Sequence, residues 1–174
     1  RQSENTNNEV EVFIITGLSG SGISTAIQVF EDMNFFTTDG IPASIAPELI
    51  SLVSKPDMQH FRGIVIGIDL KRKYLTDPAA ELLPILTNNR KKNIKTTLLY
   101  LEADDDSILK RYASTRRPHP LEQEGYSLEA ALSEEKNRLA KIRSIADFII
   151  NTTGFSIHDL RRALQKRFSK SVEN

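Results

Sequence analysis

From Val10 onward, short apolar, β-branched runs alternate with longer stretches of helical period. The pattern predicts strands at 10–16 (VEVFIIT), 35–39 (FFTTD), 63–69 (GIVIGID), 96–102 (TTLLYLE) and 147–152 (DFIINT). Most of these runs are apolar at consecutive rather than alternate positions, as in strands of a parallel sheet covered on both faces. Between them, helix starts are expected at Ser44 (for the stretch to Ser54), at Asp77 followed by Pro78, and at Asp104 or Asp105 (for the stretch through Tyr112). The segment SLEAALSEEKNRLAKIRSIA sets Leu128, Ala131, Leu132, Leu139 and Ile142 along one helical face. Ser156 and Asp159 form a capping box for a last helix whose apolar face carries Ile157, Leu160, Leu164 and Phe168. Strict alternation of strand and helix predicts a three-layer α/β domain around a mainly parallel sheet of about five strands. The expected division is a disordered polar segment over 1–9, one domain over 10–170 and a polar tail over 171–174.

Composition narrows the function classes. A chain of 174 residues suffices for one full core, and 39% hydrophobic with 26% charged residues places it among globular proteins. The 23 basic and 23 acidic residues cancel, so no global field draws it toward nucleic acid or anionic membranes. The absence of cysteine removes disulfides, thiolate catalysis and thiolate metal sites together. No apolar run approaches the roughly 20 residues of a membrane span, so no membrane partner is expected. RQSENTNNEV lacks a signal-peptide pattern, which makes the cytoplasm the expected location.

Chemistry enters at GLSGSGIST, directly after the first strand. A glycine-rich turn that opens a helix aims several N–H groups at one point, where the helix dipole adds positive potential. Gly17, Leu18, Ser19, Gly20, Ser21, Gly22, Ile23, Ser24 and Thr25 are therefore the candidate nucleotide-binding loop. Ser24 stands where such loops place a Mg²⁺-binding hydroxyl, but Ile23 occupies the position of the phosphate-binding lysine. Loss of charge-assisted bonds worth roughly 1.5–3 kcal/mol implies about 10- to 150-fold weaker binding. Hydrolysis should suffer more, because the charge that lysine stabilises grows in the transition state.

Asp39 and Asp69 are expected at the carboxyl ends of the second and third strands, where open α/β sheets bind ligands. Asp69 is also the candidate to hold Mg²⁺ through water, although strand-terminal aspartates also serve as turn or cap residues. In KRYASTRRPHPL, Arg111, Arg116 and Arg117 are candidates to close over phosphates, and His119 is expected in a stiff, exposed loop. Glu102 and Asp104 are read as a strand end and a helix cap, and His60 and His158 as surface or capping residues.

The segments GLSGSGIS, VFEDMNFFTTDGIPASIAPEL, LEADDDSILKRYASTRRPHPL and ADFIINTTGFSIHDLRRAL resemble, in order from about Glu11 to Phe168, the nucleotide-binding half of the RapZ/YvcJ family of RNase adapter proteins. The resemblance implies a fold of the P-loop small-kinase type that binds ATP and GTP with Mg²⁺ and hydrolyses both. It places the ATP loop on Gly17 to Ser24 and a second nucleotide motif on Asp69, Leu70, Lys71 and Arg72, where DLKR lacks the family asparagine. Asp69, Arg116 and Arg117 are the catalytic candidates, and Ser24 and Asp69 the metal candidates. Family members continue into a C-terminal domain that resembles a sugar-phosphate and RNA-binding module, and RNA or a regulatory protein is expected to engage chiefly there.

Two further readings stand beside this one. RRALQKRFSK sets Arg161, Arg162, Lys166, Arg167 and Lys170 around the last helix, which suits a partner-binding adapter or an ordinary solvated helix face. A small-molecule kinase needs an acceptor site that no motif here identifies. Base selection is expected near Asn151 to Thr153.

Overall fold

The computed structural model describes residues 10–70, 77–115 and 117–169. Five strands form its sheet: β1 (Glu11–Gly17), β2 (Phe36–Ile41), β3 (Gly63–Ile68), β4 (Thr96–Glu102) and β5 (Phe148–Asn151), in the order β2-β3-β1-β4-β5. All four pairings are parallel. Because side chains alternate across each strand, consecutive apolar residues fill two cores. Val12, Ile14, Ile64, Ile66, Leu98 and Tyr100 face one side, and Phe13, Ile15, Val65, Leu99 and Leu101 the other.

Helices α1 (Ile23–Asp32) and α6 (Ile157–Phe168) cover the second face. Helices α2 (Ala46–Leu52), α3 (Pro78–Lys91), α4 (Asp105–Ala113) and α5 (Leu128–Ile145) contribute to the core of the first. The sandwich is thus the three-layer α/β fold that the strand and helix alternation predicts. Phe13, Phe30, Phe35 and Phe168 pack ring against ring at 4.8–5.6 Å, which seats the end of α6 against β1 and α1. Burial of each such ring contributes about 1.5–3 kcal/mol.

Most of the helix starts follow from local chemistry. Asp77 accepts from the Ala80 N–H, Asp104 from Ser107, and Ser127 from Ala130. Ser156 and Asp159 form the reciprocal box that opens α6. Ser44 does not cap α2: it lies inside a 3-10 turn over Ala43–Ile45, set off by the extended Pro42, and α2 begins at Ala46 without a side-chain cap. Ile157 is the first residue of α6 and is 63% exposed, so only Leu160 and Leu164 of its expected face are buried, with Phe168 packed against them. Segments 1–9 and 171–174 lie outside the described residues, as do Lys71, Arg72, Arg116 and Lys170.

Candidate functional site

The turn from β1 into α1 is held from behind by bonds to its carbonyls. The Leu18 carbonyl accepts from the Ser21 N–H at 3.1 Å and from the Ser21 hydroxyl at 2.6 Å. The Gly20 carbonyl accepts from Arg111 at 2.9 Å, and the Ser21 carbonyl from the Thr152 hydroxyl at 2.7 Å. With these acceptors turned into the protein, Gly22 stands at the N-cap of α1, and its φ of 105° is a left-handed conformation that glycine adopts without strain. Gly22 carries no side chain to cap the helix, and the N–H groups of Ile23, Ser24 and Thr25 open it. Uncapped first-turn donors and the helix dipole give this end the chemistry that suits an anion.

In front of it lies a cleft of about 570 Å³ lined by Ser19, Gly20, Gly22, Ile23, Ser24 and Thr25 of the loop and helix. Asp39, Gly40, Ile68 and Asp69 form its second wall, and Arg111, Tyr112, Thr115 and Arg117 its third. Asp39 does not end β2. It sits within the strand at a register shift between Thr38 and Ile41, and its carboxylate accepts from the Gly40 N–H at 2.7 Å and from the Ser24 hydroxyl at 3.4 Å. The neighbouring strand makes room for it, since a Cβ on Gly67 would stand 2.7 Å from Asp39 Oδ1. Asp69 follows β3 directly and donates its N–H to the Ile41 carbonyl at 2.9 Å.

The expected site residues divide sharply. Gly20, Gly22, Ile23, Ser24, Thr25, Asp69 and Arg117 meet at one cleft. Leu18 and Leu70 belong to the hydrophobic core, and Ser21 is fully buried beneath the loop, so their side chains face away from it. Gly17 is the last residue of β1, behind the cleft. Ile23 lines the cleft while its side chain packs against the α1–α6 core.

Arg111 lines the cleft and is also part of the frame that holds the loop. Its guanidinium donates to the Gly20 carbonyl and to both the hydroxyl and the carbonyl of Thr152, at 2.7–3.1 Å, and so ties the phosphate loop to the segment after β5. Contrary to its expected exposure, His119 is fully buried: its Nδ1 caps the 3-10 turn at Pro120–Glu124 by accepting from the Leu121 N–H at 3.0 Å.

Glu135 is the group that the apolar pattern of α5 passed over. It lies on the buried face between Ala131 and Leu139, 2% exposed, and takes both donors of Ser19: the N–H and the hydroxyl, each at 2.7 Å. The signal was present as one carboxylate inside an otherwise apolar helical stripe. Burial, followed by the charge of Glu135, raises the phenol of Tyr112 above its ordinary pKa.

Neighbouring charges are mostly committed. Glu102 forms a two-pronged pair with Arg143 at 2.7 and 2.9 Å, and this bonding holds its carboxyl below the usual glutamate range. The Asp104 carboxyl is likewise lowered by the Ser107 N–H that it caps. On α6, Arg161 pairs with Asp32 and Arg162 with Asp159, each at 2.6 Å, and Arg167 lies over the Phe148 ring. That helix is an ion-paired surface with only part of its positive charge left over. Among the described residues, no helix is long and apolar enough to cross a membrane.

Comparison with known proteins places this architecture. The family model of the RapZ-like N-terminal domain matches residues 10–171. This chain belongs to that family. A protein named nucleotide-binding protein from Desulfovibrio desulfuricans is 52% identical over 162 residues, which cover 93% of this chain and 51% of the relative. A protein of the same name from Dictyoglomus thermophilum is 38% identical over 169 residues, covering 95% and 56%. The RapZ-like chain thus spans about half the length of these relatives.

Among solved structures, shikimate kinase from Bacteroides thetaiotaomicron superposes with a TM-score of 0.52 at 16% identity, covering 91% of this chain and 97% of that one. The tunicamycin resistance protein of Deinococcus radiodurans gives 0.55 at 12% identity, covering 91% and 95%. At such identities the likeness is one of fold, and the RapZ-like domain has the fold of the P-loop kinases.

Proposed function

We propose that the cleft binds a nucleoside triphosphate, with ATP favoured over GTP, as a slowly hydrolysed regulatory ligand. The observation that carries the reading is the uncapped N-terminus of α1, opening onto a cleft whose walls bring Ser24, Asp39, Asp69 and Arg117 together. The names of the family relatives point the same way. The N–H groups of the first turn receive phosphate oxygens, and Arg117, which lines the same cleft, supplies a guanidinium fork for them.

The donor set suits Mg²⁺, a hard cation held by one or two carboxylates, substrate phosphates and water rather than by an all-protein cage. Ser24 and Asp69 would hold the ion, with Asp39 beside Ser24 as a further oxygen donor. Bound there, it would neutralise phosphate charge. The chain's own residues orient the phosphates, while Ile23 contributes no charge to them. That deficit makes turnover slow and leaves occupancy, rather than product, as the signal. RNA or protein partners engage a C-terminal domain of the family type rather than this one, and the base is read near Asn151 to Thr153.

Thermal unfolding with increasing ATP or GTP, with and without Mg²⁺, tests the reading. A ligand that binds only the folded state raises stability by RT ln(1 + [L]/Kd), about 2.7 kcal/mol at 100 times Kd. A Mg²⁺-dependent rise in Tm is expected at millimolar ATP, and an unchanged Tm at that concentration contradicts the proposal.

A further inference from the structure

The buried face of α5 does something that packing alone does not ask of it. A carboxylate at this depth costs several kcal/mol to desolvate, and apolar residues of similar volume often serve stability as well or better. Glu135 nevertheless occupies the centre of the stripe and spends both oxygens on Ser19, a residue 116 positions away in the phosphate loop. The same Oε1 lies 3.4 Å from His119 Nε2. Because His119 Nδ1 accepts from the Leu121 N–H, the ring carries its proton on Nε2, the nitrogen that faces Glu135.

The far end of this chain of contacts is equally fixed. The His119 N–H donates to Glu122 at 2.7 Å, and the His119 ring lies 5.7 Å from that of Tyr112, a wall of the cleft. Two residues before His119 is Arg117, which lines the same cleft as the α1 terminus. Ser19, Glu135 and His119 therefore join the loop that presents N–H groups to the one that presents a guanidinium.

We infer that Glu135 and His119 are positioning residues that couple the phosphate loop to the arginine-bearing loop, so that each holds the other at the spacing an anion needs. Neither touches the ligand: both act through Ser19 and Arg117. The coupling itself stands on the apo geometry, while its effect on affinity rests on the nucleotide-binding reading above.

Amide hydrogen exchange on the nucleotide-free chain tests the coupling directly. Glu135→Gln keeps the shape and removes the charge, and His119→Asn keeps an acceptor for the Leu121 N–H while deleting Nε2. We expect Glu135→Gln to speed exchange at His119 and Leu121, and His119→Asn to speed exchange at Ser19, each by about tenfold. Exchange that changes only within the loop carrying the substitution overturns the inference, whatever either variant does to Tm. A double-mutant cycle on ATP affinity supplies the second arm. Arg117→Ala should cost about tenfold in the parent chain and less than about threefold in the Glu135→Gln background. Equal cost in both backgrounds contradicts the coupling. A parent chain that binds no ATP overturns the nucleotide reading instead, and the exchange arm still decides the coupling.

Discussion

The two sides of the phosphate loop are built to different standards. Behind it, polar groups pair with partners distant in sequence: Ser19 with Glu135, the Gly20 carbonyl with Arg111, the Ser21 carbonyl with Thr152. In front, the helix end is uncapped, Ser24 reaches Asp39 only at 3.4 Å, and an apolar Ile23 stands where a lysine would clamp phosphate. If this loop cradles phosphate, the shape of the cradle and the charge that grips its contents are separable. On the proposed reading, long-range hydrogen bonds maintain the first, and the side chain at position 23 would supply much of the second.

Breaking the rear should therefore cost both folding and binding. Arg111→Ala removes three bonds from one cation and leaves the Gly20 carbonyl without its partner, while the Thr152 carbonyl keeps the Phe155 N–H, so we expect about 2 kcal/mol of lost stability in urea unfolding and at least tenfold weaker ATP binding. Thr152→Val deletes the buried donor to the Ser21 carbonyl at nearly constant volume and should cost about 1.5 kcal/mol. Retained stability in both variants would show that the loop keeps its shape without this frame.

Changes at the front should spare the fold. Asp39→Asn is expected to leave Tm within about 1 °C and to weaken ATP binding roughly fivefold with Mg²⁺ but not without it. An equal loss in both conditions would remove Asp39 from the metal site. The smallest effect concerns the Glu102–Arg143 pair, whose folded carboxyl pKa lies below that of free glutamate. Its stabilisation is present above the usual glutamate range and is lost as pH falls through the depressed value. Glu102→Gln should then flatten the acid limb of the stability profile and leave it unchanged if the pair is merely superficial.

The same contrast explains which features were legible in the sequence. The five strands, the Asp77, Asp104 and Ser156 caps and the glycine loop are local patterns, and the structure places them within a few residues of expectation. The rear of the loop was not legible, because its partners are far apart in sequence. Nothing near His119 announces burial, and nothing near Glu135 announces Ser19. The bonds of Arg111 to the Gly20 and Thr152 carbonyls are not legible either, because an arginine near a glycine-rich loop reads the same whether its donors meet phosphate or main-chain carbonyls. The Ser44 cap failed for a local reason: Pro42 leads into a 3-10 turn before the α-helix begins. The bulge that holds Asp39 inside β2 depends on strand register, which a single strand does not encode.

The central claim is that the front lacks one charge while the cradle is intact. Calorimetric titration of Mg²⁺-ATP into the parent chain and into Ile23→Lys tests it most directly. The lysine stem can lie along the apolar surface that Ile23 now covers while its ammonium reaches the cleft. We predict weak binding to the parent and at least tenfold tighter binding to the variant, a gain of about 1.4 kcal/mol or more. Equal affinity in the two proteins, or no binding to either, would contradict the account.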